Sequence, residues 1–336
     1  MIEFLLLVSG ILLILLIFQD ILFTTYSMEG GGKMTEFFLT RLWIIFLWIS
    51  GYNGRRKLLS WAGMFMMISL IFLWGIGLWA GVTLLFASSQ DSILQSETHL
   101  STDLWEKIYF SGYVLTTMGL GDYIPANVSW GILSAFFSLL GLVFITLMVS
   151  YALPVLSNVI IKKQLSLFTQ HLGETPIELL LYFWNGKDFS AIKDISKDLQ
   201  QKILSVAKSY KAYPVLHYFH ANKKKESLVI TFCILDEALS ILETNVSSEQ
   251  WDEKEVIPLR KALSCYLETM RTVYNYRGNK SEEMPLPDLQ PLKSAHIKLV
   301  EKGTSEYERK QLWGQLLQSK GWSWKEVYSS NTNGKR

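Results

Sequence analysis

Cysteine is scarce in this 336-residue chain: Cys233 and Cys265 both lie in the second half, with no spacing that suits a metal site. Buried or reduced thiols are the simple reading. An excess of one charge is also lacking. Thirty-two Lys and Arg against 30 Asp and Glu leave a net +2, which makes no electrostatic case for nucleic acid. After residue 164 no G-x-G-x-x-G turn opens a helix, so a Rossmann-type nucleotide unit finds no support there. No nucleophile–base pair and no metal cluster stands out, so neither an enzyme nor a bound cofactor is expected. His217 and His220 are spaced to share a helix face and could hold a metal. With no Cys or carboxylate cluster beside them, ordinary packed or exposed histidines are the simpler expectation.

What the chain has in excess is apolar sequence. Hydrophobic residues make up 49%, mean hydropathy is +0.21, and the excess sits in the first half, so an ordinary soluble protein is excluded. Ile2 to Phe23 is long enough to cross a hydrocarbon core. A secretory signal would want a basic start and a small-residue cleavage site. Here Glu3 is the only early charge and Gln19-Asp20-Ile21 ends the run, which favours an uncleaved membrane helix. Ser27 to Lys33 is a flexible break. Phe37 to Ile49 carries Trp43, Trp48 and Arg41 and reads as an interfacial helix, the alternative being a short tilted span that would invert the N-terminus. Arg55-Arg56-Lys57 marks the cytoplasmic side.

Leu58 to Ala87 spans outward, and at about 45 Å as helix it exceeds the core thickness. Gly75, Gly77 and Gly81 could let another helix approach closely. Ser88 to Asp103 is polar and extracytoplasmic, with His99 simply solvated. Leu104 to Thr116 opens with Asp103 and Glu106 in capping-box spacing. At about 20 Å it is too short to cross, which suits a helix that enters the membrane and stops. Trp130 to Ile161 spans back and ends at Lys162-Lys163, agreeing with the earlier basic cluster that both ends of this pair lie inside.

Between the short helix and the return span stands Thr116-Thr117-Met118-Gly119-Leu120-Gly121-Asp122-Tyr123. Irregular backbone survives at membrane depth only where protein encloses it or a water-filled path runs beside it. Rings of backbone carbonyls can replace an ion's hydration shell. Aiming consecutive carbonyls one way requires ordinary and left-handed residues in alternation, and glycine enters the left-handed region without a Cβ clash. Gly119 and Gly121 hold alternate positions, Thr117 can add a hydroxyl, and Asp122 follows at the outer mouth. One strand cannot encircle an ion, so several copies of the chain are required.

This stretch resembles the T-x-G-[YFL]-G-D signature of tetrameric potassium channels. Its leucine form followed by Asp-Tyr-Ile-Pro is most similar to second pore loops of two-pore-domain channels. The resemblance covers roughly residues 58–161. It implies an all-α membrane protein built on a pore-loop potassium-channel module: outer helix, pore helix, filter and inner helix. It further implies potassium ions bound at Thr117, Met118, Gly119, Leu120 and Gly121, support from Thr116, Asp122 and Tyr123, and a homotetramer in a lipid bilayer. Leu120 replaces the commoner tyrosine, so a ring hydroxyl that could tie filter to pore helix is missing, and Met118 replaces valine or isoleucine. Gly141 and Pro154 lie where a gate or hinge could bend the inner helix. No arginine repeat at every third position suggests a voltage sensor.

From Gln164 the chain reads as a mainly helical cytoplasmic domain of mixed charge. Helical signals fall at 178–184, 194–209, 226–243, 249–274 and 306–319. Ser305 with Glu308 and Ser323 with Glu326 fit capping boxes. Ser227 to Leu235 is apolar and could instead be a buried strand. Lys223-Lys224-Lys225 reads as a solvated turn, Met284 to Pro291 as an extended linker, and Gly321-Trp322-Ser323-Trp324 as a segment that docks on its own domain or a partner. The expected organisation is an N-terminal transmembrane helix (1–26), a cytoplasmic linker with the interfacial helix (27–57), a pore module (58–163) and a regulatory domain (164–336) that answers an unknown cytoplasmic ligand or protein. A multi-pass protein of the plasma membrane with its N-terminus outside is expected. A weakly selective cation channel, or a membrane-anchored sensor with a non-conducting pore, are the rival readings.

Overall fold

The computed structural model describes residues 1–27, 29–49, 56–274, 285–300 and 307–330. Arg55, Met284 and Ser305 lie outside them, so the basic cluster, the linker and the first of the two later capping boxes are described only in part. The chain forms two compact units, one of Met1–Ile44 with Met64–Val155 and one of Ile45–Gly63 with Leu156–Arg336.

The first unit is built from α1 (Ile2–Tyr26), most of α2 (Lys33–Ile49) and α3 (Arg56–Ala87), a short strand β1 (Ile93–Gln95), α4 (Leu104–Leu115), a short strand β2 (Tyr123–Pro125) and the first part of α5 (Val128–Leu172). Among the described residues three helices are long and apolar enough to cross a membrane: Ile2–Tyr26, Leu59–Ala87 and Val128–Leu172. Although α1 is apolar nearly all round, its buried residues are Gly10, Ile14, Ile17, Asp20, Ile21 and Thr24, at the spacing of one helix face. That face lies antiparallel on α3 through glycine. A Cβ on Gly10 would stand 2.8 Å from the Gly81 carbonyl oxygen, and one on Gly77 would stand 2.6 Å from Ile17 Cδ1. The expected close approach thus falls on Gly77 and Gly81, whereas Gly75 meets only Phe144 at an ordinary 3.6 Å.

Asp20 has a larger role than ending the apolar run. Buried beside α3, its carboxylate accepts hydrogen bonds from Trp74 Nε1 (3.0 Å), Thr35 Oγ1 (2.5 Å) and the backbone N–H groups of Met34 (3.1 Å) and Thr35 (3.3 Å). The first N–H groups of a helix have no partner within it, and a carboxylate there also meets the positive end of the dipole. An N-cap supplied from α1 is why α2 starts at Lys33, four residues before its apolar stretch. Gly32 must be glycine, since a Cβ would fall 1.9 Å from Asp20 Oδ1.

In the second unit α5 runs on past Lys162-Lys163, because lysine is a good helix former and the extension buries Leu165, Ser166, Thr169 and Gln170. There follow α6 (Pro176–Phe183), α7 (Ile192–Ala212), α8 (Leu228–Asn245), α9 (Glu253–Tyr274), α10 (Gln290–Ser294), α11 (Tyr307–Ser319) and α12 (Trp324–Tyr328). The centre is α8, buried without interruption from Leu228 to Leu242 and packed by α6, α9, α11 and α12. The strand alternative for 227–235 is therefore corrected: the run continues through Asp236 and Glu237 to 18 residues, a helical length. Both acids are buried and paired. Asp236 takes a two-point contact from Arg309, a bond from Trp313 Nε1 (2.8 Å) and one from Arg260 (3.1 Å); Glu237 meets Lys310 (3.0 Å) and the Tyr328 hydroxyl (2.7 Å).

Two smaller expectations resolve here. The Ser323–Glu326 capping box is formed, and Trp322 and Trp324 are buried in their own unit, α12 lying on α8. The triple lysine is a turn in which Lys223 and Lys225 are exposed, as expected, and Lys224 is not. Lys224 is buried, donating to the carbonyls of Glu174 (2.9 Å) and Ser329 (2.6 Å), while Lys225 pairs with Glu174 (2.8 Å).

Asp20→Ala removes the acceptor of four donors, leaving the Trp74 indole and two backbone N–H groups unanswered. A loss of about 3 kcal/mol is expected, read as a lowered thermal midpoint in detergent, with Asp20→Asn falling between mutant and wild type.

Candidate functional site

The capping box expected at the start of α4 is present, with Asp103 accepting from Glu106 N (2.8 Å) and Glu106 accepting from Asp103 N (2.7 Å). Twelve residues give about 18 Å, so α4 ends inside the first unit, with its carbonyl end at Thr116. The chain then folds back on those carbonyls: Thr117 N donates to Val114 O (3.1 Å), Met118 N to Tyr113 O (2.9 Å), and the Ser138 hydroxyl of α5 also to Val114 O (3.0 Å).

Beyond that fold the backbone alternates. Thr117, Gly119 and Gly121 have φ of 59°, 57° and 85°, with Met118 and Leu120 between them on the ordinary side. A Cβ at either glycine would meet nothing within 4 Å, so dihedral angle rather than crowding selects glycine there. Thr117 adopts the same region at a cost of about 1 kcal/mol or more. Among the described residues the carbonyls of Thr117, Met118, Gly119, Leu120 and Gly121 accept no hydrogen bond, whereas Asp122 O immediately accepts Ser96 N at 2.9 Å. Five consecutive carbonyls are left to coordinate something else.

The next residues are tied down. Tyr123 to Pro125 pairs antiparallel with Ile93 to Gln95, in the register Gln95↔Tyr123 and Ile93↔Pro125. These two strands escaped sequence reading because three residues are too few for a period-2 pattern. Tyr113 donates its hydroxyl to Tyr123 O (2.8 Å), and Tyr123 donates to Glu106 Oε1 (3.0 Å). The three rings meet edge to face at 5.3 and 5.9 Å. Leu120 lacks a hydroxyl, and the brace comes from α4 itself. Sequence reasoning had Asp122 and Tyr123 but missed Tyr109, Tyr113, Glu106 and Ser138. The available signal was two tyrosines one turn apart in a helix with a third tyrosine just past the loop.

Of the two hinge candidates, Gly141 is in close contact. A Cβ there would stand 1.8 Å from the Leu115 carbonyl oxygen, so glycine lets α5 cross the end of α4. The helix continues unbroken through Gly141 and Pro154, with Tyr151 edge-on to Trp74 at 6.0 Å. His217 and His220 do not share an α-helix: His217 is buried in a 3₁₀ segment, Pro214–Tyr218, and His220 follows it. Among the described residues no group of three or more His, Cys, Asp or Glu could hold a metal.

Residues 38–158 match the family described as "Ion channel". The "uncharacterized membrane protein YdjJ" of Bacillus subtilis (strain 168) is 29% identical over 325 residues, covering 94% of this chain and 94% of that one. That likeness extends well past the channel stretch and through the second unit. No solved structure matches the chain.

Gly141→Ala forces α5 away from α4 and is expected to cost about 3 kcal/mol, whereas Gly75→Ala gains only ordinary contacts. Thermal midpoints of the two variants should therefore differ by several degrees.

Proposed function

We propose that this chain, whose residues 38–158 match an ion-channel family, conducts potassium through a filter made by four copies around one axis. The observation that carries this reading is the run of five unengaged carbonyls from Thr117 to Gly121, held by left-handed φ at alternate residues. Four such runs stack rings of oxygens that exchange for water around a monovalent cation without a covalent step, the gradient supplying the drive. The carbonyl end of α4 points its negative dipole toward the same path. Asp122 at the mouth concentrates cations. Thr116, Asp122 and Tyr123, with the tyrosine brace behind them, hold the ladder open.

The chain is a multi-pass protein of the plasma membrane in this reading, with α1 starting outside, α2 lying at the interface, and residues 164–336 inside. The second unit receives a cytoplasmic ligand or partner and acts on the inner helix α5, with Gly141 and Pro154 as the places where α5 would bend.

Reconstituted in planar bilayers under opposed potassium and sodium gradients, the protein should reverse near the potassium equilibrium potential. Gly119→Ala places a Cβ at φ 57°, about 1–2 kcal/mol in every copy, and should abolish that selective current. A reversal near zero with current still sensitive to the mutation would instead identify a weakly selective cation channel. A stable monomer without current would sink the channel reading in favour of a membrane-anchored sensor.

A further inference from the structure

A small cavity in the second unit gathers cationic side chains from three separate parts of the chain. Lys162, on the last third of α5, is buried and donates to Phe219 O at 2.6 Å. Lys320, the residue after α11, is buried too. Its Nζ lies 2.9 and 3.2 Å from the two ring nitrogens of His217 and 2.8 Å from the His217 carbonyl oxygen. The rings of His217 and His220 are 6.4 Å apart, and each lysine lies within the electrostatic reach of both histidines. Tyr210 and Trp322, both buried, wall the cavity on the apolar side.

Among the described residues, carboxylates are missing around the two lysines. Glu226 borders the cavity but is held by Lys163 at 3.2 Å, and among the described residues neither Lys162 nor Lys320 has a carboxylate within salt-bridge distance. A cation in an apolar interior must lose its proton or gain a counter-ion. Burial and the neighbouring cations push Lys320, His217 and His220 well below their ordinary ranges. The cavity volume of about 20 Å³ is close to that of one water-sized sphere. Room of that size suits a monatomic ion.

We propose that this cavity, lined by Lys162, Lys320 and His220 with His217 behind Lys320, is a binding site for a single halide ion, chloride being the natural occupant. Bound there, the anion ties the end of α5 to the segment after α11 through charge rather than apolar contact. Because binding draws protons back onto groups that burial had stripped, chloride is held more tightly as pH falls from 8 to 6. The proposal is independent of conduction and stands or fails without it.

The test uses the full chain in detergent at constant ionic strength, with sodium chloride exchanged for sodium gluconate. Chloride should raise the thermal midpoint saturably, by about 3–5 °C for each tenfold rise above its dissociation constant. It should also broaden the ³⁵Cl resonance in a way bromide competes away. Lys320→Met and, separately, His220→Gln should remove or weaken both effects. Should neither variant fold, the wild-type broadening and its reversal by bromide decide the matter alone. Equal midpoints in the two salts with no excess broadening would overturn the site, assigning the cavity to water and the lysines to their neutral form. A chloride effect undiminished in both variants would overturn it as well, by placing the ion elsewhere.

Discussion

A peptide chain that leaves helix and strand in an apolar layer must have every polar backbone group answered, because no bulk water is there to do it. The stretch from Leu115 to Pro125 meets that demand in two opposite ways. At its start, N–H groups of Thr117 and Met118 and the Ser138 hydroxyl turn back onto the last carbonyls of α4; at its end, Ser96, Tyr113 and a strand register take up Asp122 to Pro125. Between these two anchored ends the carbonyls of Thr117 to Gly121 accept no hydrogen bond among the described residues. The proposed ion-binding ladder requires such an omission between answered flanks. Much of the first unit serves these anchors: Gly141 brings α5 against α4, Phe86, Phe110 and Phe137 pack edge-on around the outer half, and Trp79 donates its indole N–H to Ile108 O (2.8 Å).

The same rule governs the buried charges. Asp20 sits in an apolar helix, yet four donors converge on it, one from α3 and three from the start of α2. Asp236 and Glu237 sit in the middle of the most buried helix of the second unit and are answered by Arg309, Arg260, Lys310, Trp313 and Tyr328. Removing one partner of such a group costs more than the pair contributes, since the other charge remains buried. These networks therefore set register: Asp20 decides where α2 begins, and Asp236 decides how α11 and α9 meet α8.

How much of this was legible beforehand follows from the range of each interaction. The three long apolar helices, the short capped helix and the alternating glycines after it are local patterns, and Asp103 with Glu106 or Gly119 with Gly121 could be read from neighbours alone. Asp20 could not, because its donors Thr35 and Trp74 are 15 and 54 residues away. The tyrosine brace was half legible: Tyr109 and Tyr113 share a face of α4, but their targets lie beyond a loop whose path depends on the strands. In the second unit the apolar run at 227–235 fitted two elements equally well until its continuation into paired acids was known. Lys224 looked like surface because its acceptors, Glu174 and Ser329 carbonyls, belong to remote parts of the chain.

The need for several copies rests on the ladder and not on exposed apolar surface. Along α5, Ile132, Phe136, Leu139, Leu142, Ile145, Val149 and Leu153 form one exposed face, while Phe137, Leu140, Leu147, Met148, Tyr151 and Val155 pack inward. In water such a face would demand a cover. In a bilayer it does not, because lipid tails solvate leucine as well as another helix does. Carbonyl oxygens differ, since neither lipid nor a single strand can provide a cation with the several ligands it loses on leaving water. A second strand supplies only part of a ring, and closed rotational symmetry is the usual way identical chains complete one. In the proposed channel, the constraint that assembles the protein is therefore the same one that orders its loop: five oxygens from Thr117 to Gly121 that accept no hydrogen bond among the described residues.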